Sequence, residues 1–220
     1  MEMTSTPLGE LARAHPSATR VFLRHRLDFC CGGRQSLADA CAKAGLDARE
    51  IARELVTEAA GAEEETSWEL RSAGELADHI VRRYHEPLRR DLPPLVEAAR
   101  KVERVHAGKP AVPVGLADQL ARFWTALESH MAKEEQVLFP ALRGGAHGDR
   151  LTMPVRVLKK DHDDHAAQLA RVRQLTGNLA IPAHACATWR ALYTGLQTLE
   201  DELMVHIHLE NNILFPRATG

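Results

Sequence analysis

What this chain lacks narrows it before any motif is read. No run of 18 apolar residues occurs, so no membrane-spanning helix is expected, and Met1 to Glu10 has none of the basic, apolar, small-residue order of a secretory signal. The expected compartment is the cytoplasm. Basic and acidic side chains nearly cancel, 28 against 30 for a net charge of −2, so nothing points to nucleic acid or an acidic membrane as partner. The cysteines, Cys30, Cys31, Cys41 and Cys186, form no CxxC pair, which argues against a structural zinc knuckle and leaves thiols in a reducing compartment. Aromatic residues are scarce, and from Trp68 onward no convincing stretch alternates as a strand would.

Histidine is abundant instead, with 12 in 220 residues, and an eleven-residue phrase appears twice. It reads His130, Glu134, Leu138, Phe139, Pro140, and again His206, Glu210, Leu214, Phe215, Pro216. A His and a Glu four apart share one helix face, about 6 Å apart along the axis, so each copy presents a nitrogen and a carboxylate in one direction. A single His precedes each copy at nearly the same distance: His85 lies 45 residues before His130, and His162 lies 44 before His206. The repeat predicts two similar helical hairpins packed about a pseudo-twofold axis.

Residues 1–60 read as a small helical unit containing the turn Cys30-Cys31-Gly32-Gly33, with Ser36 as an N-cap, a break at Gly45 and a last amphipathic stretch ending near Val56. An acidic linker, Gly61 to Ser67, marks the boundary. Residues 68–220 carry helical period throughout. The expected stripes are Leu70, Ala73, Ala77, Ile80, Tyr84 and Leu88, with His85 beside them and Pro87 kinking or ending the helix, then a continuation through Val105. Next come Leu116, Leu120, Phe123, Leu127, His130, Glu134, Val137 and Ala141, then Val155, Leu158, His162, His165, Leu169 and Val172. The last stripe reads Trp189, Leu192, Leu196, Leu199, Leu203, His206, Glu210 and Ile213. Four such stripes predict an all-α four-helix bundle.

Ionised carboxylates on apolar stripes cost several kcal/mol unless something compensates them, and a cation is the natural compensation. Four imidazoles and two carboxylates exceed one tetrahedral zinc. They suit two iron ions bridged by Glu134 and Glu210, with two His per metal, room for an oxo or hydroxo bridge, and an open position on each. His165 shares the inward stripe and is either a further ligand or a hydrogen-bond donor beside one. On an ideal helix His208 lies about 200° from His206, and His79 about 240° from His85, so both should face solvent or a supporting position; Glu128 and Glu135, about 160° and 140° from His130, read as surface charges. Cys30 and Cys31, exposed by the Gly-Gly turn and with Arg34 nearby to lower a thiol pKa, read as a redox or iron-handling pair or else as an inert packed pair. Cys41 and Cys186 read as core residues.

With these residues the chain resembles the repair-of-iron-centres proteins of the YtfE/ScdA type, which carry a haemerythrin-like domain. The resemblance runs from Pro7-Leu8-Gly9-Glu10-Leu11 through Asp28-Phe29-Cys30-Cys31-Gly32-Gly33, Arg83-Tyr84-His85 and Asp161-His162-Asp163 to Leu209-Glu210-Asn211-Asn212. It implies an N-terminal unit of the ScdA type, His85, His130, His162 and His206 as terminal iron ligands, Glu134 and Glu210 as bridging carboxylates, and a homodimer acting on iron-sulfur proteins damaged by nitrosative or oxidative stress. Iron donation and the reduction of nitric oxide to nitrous oxide by a pair of adjacent open positions are both expected activities. The alternatives are a haemerythrin-like nitric oxide or dioxygen sensor without turnover, and a regulatory module relaying through the N-terminal unit. A ferritin-type oxidase is disfavoured, since no Glu-x-x-His lies on an inward stripe.

Overall fold

The structure is a computed structural model and describes residues 3–61 and 68–220, so residues 62–67 of the expected linker lie outside it. Four short helices come first: α1 (Leu8–Ala14), α2 (Ala18–Arg24), α3 (Leu37–Ala44) and α4 (Ala48–Gly61), which runs past the expected end near an exposed Val56. Local chemistry sets the limits of α3: Ser36 Oγ accepts the Asp39 N–H at 3.1 Å, and Gly45 closes the helix in the left-handed region at φ 70°. The apolar faces of these helices, with Leu8, Val21, Phe22 and Leu37, meet Phe29 in a core that also takes in Met204 and Ile207. The N-terminal unit is therefore seated on the bundle. The approach is close enough to require glycine at position 9, where a Cβ would lie 2.7 Å from Asn212 Oδ1 and 3.2 Å from the Gly33 carbonyl.

The bundle follows. Its first helix is α5 (Ala73–Ile80), continued through Val81–His85 into α6 (Glu86–Val105). The second is α7 (Leu116–Lys133), continued through Glu134–Leu138 into α8 (Phe139–Arg143). The third, α9 (Asp149–Leu175), is unbroken, and the fourth is α10 (Ala187–Leu209), continued through Glu210–Leu214 into α11 (Phe215–Thr219). Helix α6 packs on α7 and α10, α7 on α9, and α9 on α11. No strand occurs among the described residues.

All three connecting segments are π-helical, and each carries a residue singled out as a ligand. The N–H after each segment donates to a carbonyl five residues back: Glu86 to Val81, Phe139 to Glu134, and Phe215 to Glu210. One residue is thus inserted into each helix at the level of the candidate site. The insertion corrects the expected stripe, because beyond Glu134 the inward face passes from Val137 and Ala141 to Leu138, Phe139 and Leu142, leaving Val137 54% exposed. Leu70 and Val105, at the far ends of the first stripe, are also exposed.

Three of the helix prolines are explained by the same turns. Pro87, Pro140 and Pro216 each stand two residues past a π segment, and the helix continues through all three. Pro87 does not end its helix, and both Leu-Phe-Pro runs are helical as well. A widened turn leaves one amide without a carbonyl in register and draws the preceding carbonyls away from the ring, so the usual objections to proline lapse.

The bundle interior holds two apolar clusters. One gathers Leu92, Leu120, Phe123, Trp189 and Leu196; the other gathers Leu76, Ile80, Leu138, Phe139, Leu214 and Phe215. Between them lies a layer of buried His and Glu. If the π turn is what accommodates proline, Pro140→Ala should change stability by less than about 1 kcal/mol, against the ~3 kcal/mol gain expected from removing a proline inside a regular helix. Thermal unfolding followed by circular dichroism reads this directly, and a large gain would refute the account.

Candidate metal centre

His85, His130, Glu134, His162, His206 and Glu210 all project into this layer, each 1% exposed or less. They form two four-residue groups that share both carboxylates: His85, His206, Glu134 and Glu210, and His130, His162, Glu134 and Glu210. Nε2 of His85 lies 3.2 Å from Nε2 of His206, and Nε2 of His162 lies 3.1 Å from Nε2 of His130. Glu134 Oε2 is 3.4 Å from Nε2 of both His85 and His130. Glu210 divides its oxygens, Oε1 at 2.8 Å from His206 Nε2 and Oε2 at 3.0 Å from His162 Nε2. Each carboxylate therefore faces both histidine pairs.

The outer ring nitrogens reveal the tautomers. Nδ1 of His85 is 2.7 Å from Glu135 Oε1, Nδ1 of His130 is 3.2 Å from Asp161 Oδ2, and Nδ1 of His162 is 3.0 Å from Asn211 Oδ1. The orientation of Asn211 is fixed, since its Nδ2 donates to the Cys30 carbonyl at 3.2 Å. Facing acceptors, these Nδ1 atoms carry the proton and leave Nε2 lone pairs turned inward. His206 differs, having no partner for Nδ1 and a ring stacked on Tyr84 with centroids 5.2 Å apart.

Ring nitrogens crowded together at about 3 Å, and a fully buried Glu134 with neither oxygen hydrogen-bonded, lack the positive charge that would reconcile them. A cation between each pair supplies it, and neutral imidazole and carboxylate are the donors a first-row divalent metal accepts. Burial, with the neighbouring His206, pushes His85 down to about 4, and burial lowers His130 as well, so both are neutral as ligands must be. Burial and the charge on Glu210 drive the Glu134 carboxyl well above its ordinary range. Burial also opposes ionisation of Glu210, but His206 and His162 outweigh it and hold that carboxyl low. Without a cation the pair keeps one proton, on Glu134.

The Hemerythrin HHE cation binding domain matches residues 76–218, a span that includes all six. This chain belongs to the hemerythrin HHE family. Residues 4–59 match a second family, described as a domain of unknown function (DUF542). Proteins called iron-sulfur cluster repair protein YtfE from Citrobacter koseri and Dickeya chrysanthemi are each 45% identical to it, and that of Shigella boydii serotype 4 is 44% identical, over 99% of this chain and 98% of theirs.

Around the hemerythrin centre several expectations change. His165 is buried but belongs to neither four-residue group; it packs edge-on against His130 with centroids 4.9 Å apart, and its Nδ1 has no partner. Glu135 is not a bare surface charge, for it supports His85 while Arg89 Nη1 reaches it at 2.9 Å; Glu128 remains outside, paired with Arg89. Its angle from His130 was a poor guide because Glu135 turns sideways, toward the neighbouring helix. His79 lies against Trp68, and His208 is buried rather than solvent-facing, with Nδ1 2.9 Å from Asn212 Nδ2 and its ring on Phe29.

The cysteines also depart from expectation. Cys41 is buried as expected, but Cys186 is exposed at the start of α10, 3.2 Å from His106 Nε2. Cys31 is half-buried while Cys30 is buried, and contact with the Cys31 thiol together with burial raises the Cys30 pKa, opposite to the lowering expected from Arg34.

Two predictions follow from the proton count and the outer acceptors. Cation uptake near neutral pH should release a proton from Glu134, whose carboxyl is held well above its ordinary range, so affinity rises with pH. Calorimetry in buffers of different ionisation enthalpy should show this release in the wild type and none in Glu134→Gln. Glu135→Gln and Asp161→Asn should each weaken metal retention on the order of 10-fold to 100-fold in chelator competition, and Glu128→Gln should leave it unchanged.

Proposed function

We propose that this protein holds two iron ions, one between His85 and His206 and one between His130 and His162, with Glu134 and Glu210 bridging both, and that it repairs iron-sulfur clusters damaged by nitrosative or oxidative stress. The observation that carries the reading is the pair of histidine groups sharing two buried carboxylates, in a chain similar along its length to proteins named for iron-sulfur cluster repair. Bound there, iron would supply electrons and adjacent open positions for a diatomic ligand such as nitric oxide or dioxygen.

The chain's own residues account for the rest. Glu135, Asp161 and Asn211 orient three of the four imidazoles, and Phe139 and Phe215 stack on His85 and His162 with ring centroids 5.8 and 5.6 Å apart, shielding the centre from water. Tyr84 covers His206, and burial pushes its phenol up to about 12, so it stays a neutral lid. All six protein donors are nitrogen or oxygen, so iron can be given up more readily than from a thiolate cage, which suits donation as well as nitric oxide reduction. The reading places the protein in the cytoplasm, as a homodimer acting on damaged iron-sulfur proteins without nucleic acid or membrane. No helix among the described residues is long and apolar enough to cross a membrane. Residues 1–60 and 68–220 are taken as its two units.

The deciding experiment is metal analysis of anaerobically purified protein. Close to two irons per wild-type chain are expected, with loss in both His130→Ala and Glu210→Ala; zinc alone, or no metal in a folded chain, would refute the iron reading. The reduced protein should then yield nitrous oxide from nitric oxide, or pass iron to an apo iron-sulfur acceptor in the presence of a chelator. Failure of both would leave a sensor.

A further inference from the structure

A second group of metal-binding side chains lies outside the bundle centre. Asp28, Cys30 and Cys31 bring a carboxylate and two thiols within 4.8 Å of one another. The two sulfurs are 3.7 Å apart, and Cys30 Sγ is 3.3 Å from Asp28 Oδ1. In a tetrahedral site with metal–sulfur bonds near 2.3 Å, two thiolate sulfurs are separated by about 3.8 Å. The thiols already stand at the edge of such a tetrahedron.

The backbone holds them there. Asp28 Oδ1 accepts the Cys30 N–H at 3.2 Å and the Cys31 N–H at 2.9 Å, which turns the carboxylate toward both sulfurs. Glycine at 32 lets the loop close over it, because a Cβ there would lie 3.0 Å from Asp28 Oδ2. These three side chains border a groove of about 510 Å³ walled by α9 and α10, with Leu169, Arg173 and Met204 in its lining. On its inner side the loop touches the bundle centre: Cys31 Sγ is 4.0 Å from the His162 carbonyl, and Asn211 joins the Cys30 carbonyl to His162 Nδ1.

We propose that Asp28, Cys30 and Cys31 form a second, open metal site that takes a thiophilic divalent cation, ferrous iron in particular. Three protein donors leave the fourth tetrahedral position facing the groove, where water or a thiol of an acceptor completes it. Uptake breaks two S–H bonds, forms two metal–sulfur bonds, releases two protons to solvent and oxidises nothing. Its use as a port between the buried centre and an outside acceptor rests on the iron reading above; the site itself does not.

Cobalt(II) is the probe, because sulfur-to-cobalt charge transfer absorbs in the near ultraviolet while histidine and carboxylate ligation at the bundle centre gives no such band. Titrated anaerobically into reduced full-length protein, cobalt should produce the band in the wild type, in Cys186→Ser, and in a His130→Ala/Glu210→Ala double variant with the bundle centre disabled. Cys30→Ser and Cys31→Ser should weaken it on the order of tenfold or more, and Asp28→Asn should weaken it as well. Cys31 is partly exposed, so its variant keeps the test valid should Ser at the buried position 30 disturb the loop. Absence of the band in the wild type, its persistence in Cys31→Ser, or its loss in Cys186→Ser would overturn the proposal. Failure of the iron reading would appear elsewhere, as missing iron with the cobalt band intact.

Discussion

Two carboxylates at zero exposure in the middle of an apolar bundle are the constraint on which the rest of the structure depends. Each would cost several kcal/mol if left charged and uncompensated. The chain answers with four imidazoles whose Nε2 atoms face the same plane, and for three of them with outer acceptors that decide which ring nitrogen carries the proton. Glu134 retaining its proton while Glu210 is ionised is the same constraint seen without a cation. The layer is poorly resolved electrostatically on its own and well matched to a pair of positive charges.

That plane also organises the packing. The apolar clusters above and below it are separate, and three of the four helices change from α to π geometry on crossing it. The N-terminal unit is tied to the same level through neighbouring side chains of one helix: Asn211 reaches the Cys30 carbonyl, and Asn212 reaches Phe29 and His208. The cysteine loop and the histidine layer are thus joined by Asn211, a residue beside a buried glutamate.

Much of this was legible in the sequence. Period-3.6 stripes identified the helices, and the repeated His-x3-Glu spacing, with the single His at a matching distance before each copy, singled out the six residues that meet. The π turns were not legible, because a stripe extrapolated at constant period assumes the very regularity that they break; the error surfaces at Val137 and Ala141, one residue out of phase. The prolines were the overlooked signal, recurring at a fixed offset after His85, Leu138 and Leu214. Glu135 and Asn211 escaped for another reason: they act across to a neighbouring helix, which an angle measured on their own helix does not report. Cys186 was misplaced because small and apolar sequence neighbours continue to the end of a helix, where burial does not.

The inserted residues have a consequence beyond placing the buried His and Glu side chains. In a helix, one residue is about 100° of turn. Each π segment therefore acts as a phase adjuster, converting a change in chain length into a rotation of everything that follows. The portion of a helix beyond the plane can be faced toward its own core independently of the portion before it, and each of the three helices is tuned separately. In such a bundle a gained or lost residue at these segments is read as a change of facing, while His130 and His206, which precede their segments, keep their places.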